Sequence, residues 1–129
     1  MATMKQLWWT DTDKIELKEV PIPEVGPNEV KVKIAYAALC ATDVHQVTMG
    51  VMSAKPPAPL GHEASGTIVE IGEQAAAAGY KVGDKVTMFP VSHCGECEWC
   101  KKGMTQYCIN SKPTGAFAEY VVTDVKTVY

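Results

Sequence analysis

Four cysteines lie within fifteen residues of this 129-residue chain, at Cys94, Cys97, Cys100 and Cys108. Thiolates at such spacing bind soft metal ions, and four of them can close a tetrahedron around zinc with no open position. The competing interpretations are disulfides, a redox pair and an iron–sulfur cluster. The total of five cysteines is odd, and the last gap of seven residues departs from the ferredoxin motif. A structural zinc site is therefore favoured, and glycines at 95 and 103 can supply the positive φ that turns backbone amides toward sulfur.

A second group of possible ligands is more dispersed. It joins "CATDVH", residues 40–45, to "GHE", residues 61–63. Cys40 and His62 could be two ligands of a zinc ion that keeps an open position, which is the catalytic type of site. An isolated cysteine often packs as a small apolar residue, and a lone histidine is more often a satisfied core residue. From these residues alone both interpretations stay open, and packing is the more frequent one.

The elements that would position these residues are mostly strands. The stretch "NEVKVKIAY", residues 28–36, alternates apolar and polar side chains and predicts a half-buried strand. Further β-rich runs are "KQLWW", "KIELKEV", "SGTIVEIG", "KVTMF" and "AEYVV", separated by turn signals. We expect a helix over 41–49 with Thr42 as its cap, a loop over 73–80, and a cysteine lobe at about 91–113. The pattern is typical of a β-barrel or a β-sandwich.

Composition excludes several classes of partner. The chain is 47% apolar and 21% charged, which is typical of a globular protein with a buried core. Its net charge of −3 includes no block of like charge, so we expect no nucleic-acid partner. The longest apolar run, residues 34–41, falls far short of the ~20 residues that cross a bilayer. The first ten residues do not resemble a secretory leader, so we expect a cytoplasmic protein with reduced thiols and no membrane partner.

The ordered set of motifs resembles the zinc-containing medium-chain alcohol dehydrogenases, specifically their N-terminal catalytic domain. The resemblance runs from Met4 to Tyr129 and rests on "CATDVH", "GHEASGTIVEIG", "VGDKV", the cysteine lobe and "GAFAEYVV". It implies a mainly β fold, a GroES-like β-barrel with a short helix and a structural-zinc lobe, in which residues 1–129 form one catalytic domain.

The resemblance also implies two zinc sites. Cys94, Cys97, Cys100 and Cys108 match the structural-zinc ligands without departure. Cys40 and His62 look like catalytic-zinc ligands, and Glu63 matches an acidic residue that can become a ligand. Because adjacent side chains of an ideal strand point to opposite faces, His62 and Glu63 can reach one zinc only if the backbone bends, which Gly61 makes easy.

Three further residues match functional positions of the family. Asp43 matches the carboxylate that orients the ligating imidazole, Thr42 the hydroxyl that touches the substrate alcohol, and His45 the outer end of a proton relay. The alternatives from residue type alone are a helix N-terminal charge for Asp43 and an exposed helical histidine for His45. A proton would leave the substrate through Thr42 toward His45.

The implied activity is zinc-dependent oxidation of a small alcohol or polyol, with zinc as Lewis acid and hydride transfer to NAD or NADP. No two of the ten glycines are separated by a single residue, so a G-x-G-x-x-G fingerprint is missing. We therefore expect these residues to be part of a longer protein whose further domain binds the cofactor, and we expect the isolated chain to be inactive and to form a homo-oligomer. The alternatives are a zinc-stapled interaction module without catalysis and a co-chaperonin-like ring subunit.

Overall fold

The structure is a computed structural model that describes residues 1–50 and 55–129. Within these residues, seven strands form two antiparallel sheets. The strands are β1 (Thr3–Asp11), β2 (Lys14–Pro21), β3 (Glu29–Ala37), β4 (Ala58–Pro59), β5 (Ala64–Ile71), β6 (Lys85–Thr87) and β7 (Tyr120–Asp124). The mainly β architecture predicted from the sequence is confirmed.

The smaller sheet has the strand order β2-β1-β4. β1 and β2 form a hairpin in which Leu7 faces Leu17 and Trp9 faces Ile15. The turn places Asp13 at a φ of 57°, a conformation that aspartate tolerates better than most residues. β4 adds only two residues beside Trp9 and was not predicted, because a segment this short has no periodicity to read.

The larger sheet has the order β6-β5-β3-β7 and carries most of the core. Val30 and Val32 are fully buried on one face of β3, while Lys33 on the other face is exposed. Ile68 of β5 is also fully buried and packs in the same cluster. The predicted half-buried strand over 28–36 is therefore confirmed, and its alternation selects the face that joins the core cluster with Ile68, Ala75 and Val128.

The two sheets are joined by the segment that precedes β7. The Leu7 backbone N–H donates to the Phe117 carbonyl at 2.9 Å, and Gln6 forms an isolated bridge with Ala118. Gly115 starts this segment at a φ of 68°, where a Cβ would lie 2.7 Å from the Gln6 amide. The glycine therefore allows both the turn and the close approach of the chains.

In the part of the chain that the structure describes, three α-helical segments accompany the strands: α1 (Ala41–Met49), α2 (Glu73–Ala76) and α3 (Glu98–Lys101). The predicted helix over 41–49 is confirmed, but its N-cap is Cys40 and not Thr42. The reason is that the Asp43 carboxylate folds back onto the Cys40 backbone N–H, 3.0 Å away, which places the cap two residues before Thr42.

α2 takes up the first four residues of the stretch 73–80, where we expected a loop rather than a helical turn, so the expectation was wrong for residues 73–76. Contacts with another segment stabilise this single helical turn, because the backbone N–H groups of Gln74 and Ala75 both donate to the Pro27 carbonyl. Ala75 is fully buried in the core of the larger sheet. Tertiary contacts of this kind are not visible in a local stretch of alanines.

The cysteine lobe leaves the β body between β6 and β7. At its base the Ser92 hydroxyl donates to the Lys112 carbonyl and accepts from the Lys112 backbone N–H. The lobe contains α3 and a 3₁₀ helix, Thr105–Tyr107; a second 3₁₀ helix, Val125–Thr127, follows β7. None of the helices in the described residues is both long enough and apolar enough to cross a bilayer.

Candidate metal centres

The first candidate centre lies in the lobe, where one sulfur atom from each of Cys94, Cys97, Cys100 and Cys108 lies within 4.8 Å of the others. The Cys94 sulfur accepts from the backbone N–H groups of Glu96 and Cys97 at 3.4 and 3.3 Å. The Cys108 sulfur accepts from the Cys94 N–H at 3.3 Å. Gly95 adopts a φ of 77°, the positive value expected where the chain turns its amides toward sulfur.

The thiols of this cluster differ in acidity. The Glu96 N–H, followed by the Cys97 N–H, lowers the pKa of Cys94 to about 6, and the Cys100 N–H lowers the pKa of Cys97. Desolvation, together with hydrogen bonds to neighbouring thiols and against the Gly95 N–H, which lowers it, raises the pKa of Cys100 to about 12. One thiolate is therefore available near neutral pH, while Cys100 keeps its proton unless a cation takes its place. Four convergent thiols with backbone donors fit a tetrahedral zinc ion.

Aromatic side chains cover the outer side of the lobe. Trp99 meets Tyr107 edge-on, with ring centroids 5.6 Å apart, and the Lys102 ammonium lies 5.3 Å from the Trp99 ring centroid. Both rings remain partly exposed. Trp99 therefore acts as a packing residue of the lobe, in agreement with its position beside the ligands in sequence.

The second candidate centre joins two segments that are distant in sequence. Cys40 stands between β3 and α1, and His62 and Glu63 directly precede β5. One sulfur, nitrogen or oxygen atom from each of the three lies within 4.8 Å of the others. The structure thus brings together the three residues that the sequence analysis singled out as possible catalytic-zinc ligands.

Gly61 provides the bend that lets neighbouring residues reach one point. Its φ is 95°, and a Cβ built there would lie 2.5 Å from the Phe117 backbone nitrogen. Only glycine meets both conditions without displacing the chain. His62 and Glu63 can therefore face the same point although they are adjacent in sequence.

The buried side chain of Asp43 connects the start of α1 with the imidazole of His62. Its side chain is only 3% exposed, and Oδ2 accepts from the Cys40 backbone N–H at 3.0 Å. Oδ1 lies 3.2 Å from Nδ1 of His62, without the alignment of a full hydrogen bond, and has no other polar partner among the described residues. This contact leaves Nε2 of His62 pointing away from Asp43, toward Thr42 and the cluster.

Thr42 stands between the two candidate ligands. Its hydroxyl oxygen is 3.1 Å from the Cys40 sulfur and 3.2 Å from Nε2 of His62. Having one proton, it can donate to only one of them at a time. His45 is exposed on α1 and forms no side-chain hydrogen bond with Thr42 or another described residue, so the structure places it near the site without bringing it into contact.

A cleft of about 350 Å³ opens beside the second centre. Glu63 connects the two, since this residue belongs both to the cluster and to the wall of the cleft. The wall is formed by Tyr36, Ala37, Ala38, Glu63, Ala64, Ser65, Thr87, Met88 and Pro90. Except for Glu63, sequence reasoning assigned none of these residues to the site. They come from the ends of three strands, and no local motif marks such a wall before the strands are paired.

Comparison with known proteins gives consistent matches. Residues 26–129 match the family model described as the alcohol dehydrogenase GroES-like domain. The chain is 40% identical over 121 residues to an L-threonine 3-dehydrogenase of Symbiobacterium thermophilum, which covers 88% of this chain and 34% of that protein. It is 35% identical over 124 residues to a sorbitol dehydrogenase of Halalkalibacterium halodurans, covering 92% of this chain and 35% of that protein.

A solved structure agrees with these sequence matches. A protein of Sinorhizobium meliloti, described as a candidate zinc-binding dehydrogenase and solved with NADP bound, superposes with a TM-score of 0.86. It shares 32% identity with this chain and covers 100% of it, whereas this chain covers 38% of that protein. The chain thus spans about a third of the length of the curated relatives that it matches.

Proposed function

Because the chain belongs to the alcohol dehydrogenase GroES-like domain family, we propose that it is the catalytic domain of a zinc-dependent, NAD(P)-linked alcohol dehydrogenase. The observation that carries the proposal is the convergence of Cys40, His62 and Glu63 beside an open cleft. A fold alone would not support an activity, since folds host unrelated functions. The donor set with an adjacent cleft supports this one.

We assign Cys40, His62 and Glu63 as the residues that hold the catalytic zinc. A thiolate, an imidazole and a carboxylate are all zinc ligands, and three protein ligands leave a fourth position for substrate. Zinc bound there would supply a Lewis acid to a substrate hydroxyl, and NAD or NADP would accept the hydride. The cofactor would be bound outside the described residues, in a further domain of the whole protein.

Asp43 acts as a positioning residue for His62. Nδ1 of His62 lies 3.2 Å from the buried carboxylate, and we assign the ring proton to Nδ1, which leaves the lone pair of Nε2 for the cluster. The same carboxylate fixes the Cys40 backbone, so one side chain orients two of the three ligands. Burial makes this arrangement rigid, because a carboxylate with so little solvent depends on its protein partners.

Thr42 and His45 provide a route for the substrate proton. The Thr42 hydroxyl lies within 3.2 Å of both Cys40 and His62, and it can accept a proton from a substrate hydroxyl while donating its own onward. His45 follows three residues later on α1, on the same side of the helix, where it is exposed to solvent. It would pass the proton to water.

The four lobe cysteines are assigned to a structural zinc. Their set is complete, with no room for a substrate at the metal, and their short spacing lets the lobe assemble its site locally. Reduced thiols at both centres are consistent with a cytoplasmic protein. The named relatives act on threonine and sorbitol, which supports a small secondary alcohol or polyol as substrate class.

Cobalt substitution tests the assignment in the chain itself. Co²⁺ reports its ligands by absorption, so the lobe and the Cys40 centre should give separable thiolate bands. Addition of a secondary alcohol such as 2-propanol should perturb only the bands of the centre with an open position. The variant His62→Ala should abolish this response to alcohol. Cys97→Ala should instead remove the absorption bands of the lobe and leave the response to alcohol intact.

An interaction module stapled by zinc would behave differently. Its cobalt spectrum would contain only the thiolate bands of the lobe, and neither added alcohol nor His62→Ala would change that spectrum. An alcohol response that survives in His62→Ala would likewise contradict the assignment of the open centre. Circular dichroism of each variant confirms that the β fold is retained.

A further inference from the structure

The strand β2 forms the longest edge among the sheets of the described residues. It runs over eight residues at one side of the smaller sheet. The other edge strands, β4, β6 and β7, have two, three and five residues. β6 is also covered on its outer side, where the Thr87 N–H donates to the Tyr129 carbonyl at 2.9 Å. An edge strand with free backbone groups is a template for pairing with another strand.

The register of the hairpin shows which backbone groups of β2 face outward. The Ile22 N–H donates to the Ala2 carbonyl, and the pairing continues without a shift up to Ile15. Hydrogen-bonded and non-hydrogen-bonded residues alternate in an antiparallel pair, so the even-numbered residues of β2 bond to β1. The N–H and C=O groups of Ile15, Leu17 and Glu19 therefore point to the open side.

The side chains of β2 are self-complementary. On one face Ile15 and Leu17 are 56% and 61% exposed, a high value for apolar residues in a strand. On the other face Glu16 and Lys18 are neighbours of opposite charge. Glu16 is exposed, and Lys18 lies partly against the Trp8 ring, 5.1 Å from its centroid. An antiparallel copy of the same strand can pair Leu17 with Leu17 and Glu16 with Lys18 at once, and it then places Ile15 opposite Glu19 and diagonally beside Leu17.

We propose that two copies of this chain associate through β2, antiparallel, with Leu17 opposite Leu17 of the second copy. This register hydrogen-bonds the outward-facing residues, and it places Glu16 opposite Lys18 twice, in the closer non-hydrogen-bonded pairs. A shift of two residues either way would put Glu16 opposite Glu16 or Lys18 opposite Lys18. The charges therefore select one register of a two-fold interface.

An apolar surface continues from this edge. Ile15 borders a groove of about 210 Å³ that also includes Leu39 and Val44, which are 71% and 47% exposed. Pairing through β2 brings the exposed Ile15 and Leu17 of each copy together at its border. The proposal rests on β2 and its register, and it stands independently of the dehydrogenase assignment.

Charge exchange tests the interface. Glu16→Lys and Lys18→Glu each place like charges opposite one another twice, so each should raise the dimer dissociation constant at least about tenfold. The double variant Glu16→Lys/Lys18→Glu should restore the dimer, and so should an equimolar mixture of the two single variants. Glu24→Lys, a change at an exposed residue outside β2, is the control that matches the change in charge of Glu16→Lys. Sedimentation velocity at protein concentrations up to about 1 mM measures the dimer.

Hydrogen exchange gives a second readout that does not depend on variants. The amides of Ile15, Leu17 and Glu19 should exchange more slowly as protein concentration rises, while the even-numbered amides of β2 should change little. A wild-type chain that stays monomeric over the whole range would overturn the proposal. So would a dimer that both single variants leave unchanged, or a double variant and a mixture that fail to restore association.

Discussion

The cysteine thiols of the lobe differ in acidity, although all four are assigned the same role as zinc ligands. Cys94, with two backbone N–H donors on its sulfur, is ionised near neutral pH, while Cys100 is desolvated among its neighbours and resists ionisation. A zinc ion must displace whatever protons the thiols still hold. The number of protons released on zinc binding therefore reports these two environments separately.

We predict clearly fewer than four protons released per zinc bound to the lobe at about pH 7, where ordinary thiols are almost fully protonated. The pKa of Cys94, about 6, means that its proton is already lost there, whereas Cys100, with a pKa of about 12, must release its proton to the solvent. As pH falls through about 6, Cys94 is protonated as well, so proton release rises and the apparent zinc affinity falls more steeply. Calorimetry in buffers of different ionisation enthalpy measures the release.

The control for this measurement is Cys40→Ala, which keeps the lobe and removes one thiol of the other centre. Four protons released at that pH would show that Cys94 is an ordinary thiol, and would contradict the effect of the Glu96 and Cys97 amides.

At the scale of elements, the Cys40 centre depends on a bend, a helix start and a strand end. Gly61 turns the chain before β5, and Cys40 caps α1 in a geometry closed by Asp43. The cap was misplaced at Thr42 in the sequence analysis, because serine and threonine lead the N-cap preference and a cysteine does not. The carboxylate three residues after Cys40 was the available signal.

We predict that Gly61→Ala destabilises the fold more than Gly79→Ala does. Both glycines have nearly the same φ, 95° and 96°, but a Cβ at Gly61 would lie 2.5 Å from the Phe117 nitrogen, while nothing lies within 4 Å at Gly79. The shared backbone strain costs about 1–2 kcal/mol, and the clash adds to it only at Gly61. Denaturant unfolding of both variants measures the difference.

Measuring the zinc affinity of each centre distinguishes an effect of Gly61→Ala on the bend from a general loss of stability. Gly61→Ala should also weaken the Cys40 centre and leave the lobe unchanged, because the bend directs His62 and Glu63. Equal losses of stability in the two variants would mean that the segment before β5 moves away from Phe117 without cost.

At the scale of the whole molecule, the two centres differ in how much of the fold each requires. The lobe takes four donors from one short segment, whereas the second centre takes one donor from the link between β3 and α1 and two donors from the segment before β5. Assembly of the second centre therefore depends on the pairing of the larger sheet, in which Tyr36 of β3 faces Ser65 of β5.

We predict that the chain alone binds one zinc tightly in the lobe and a second zinc much more weakly. Four local ligands hold the first, and three ligands from two segments that are distant in sequence hold the second. Titration with a competing chelator should show two steps, of which Cys40→Ala removes only the weaker. Two zinc ions held with equal affinity would refute the difference.

Much of the larger sheet was predictable because its strands carry their own signal. The alternation of valine and lysine in β3 follows from the burial of one face, so residues 28–36 could be read directly. β4 and α2 could not, because their few residues are held by Trp9 and Pro27 rather than by any local pattern. The residues that line the cleft could not be predicted either, because Tyr36 and Pro90 come to line one cleft only after the chain has folded.

The sequence by itself determined the lobe cluster, because the short loops between the four cysteines keep their sulfur atoms close together whatever the rest of the fold does. It also determined which side chains could serve a second centre, because only certain chemical groups bind zinc. The tertiary structure alone decided that Cys40, His62 and Glu63 meet, that Asp43 is buried beneath them, and that β2 is left at an open edge. Such juxtapositions depend on strand pairing between distant segments, which no short stretch of sequence contains.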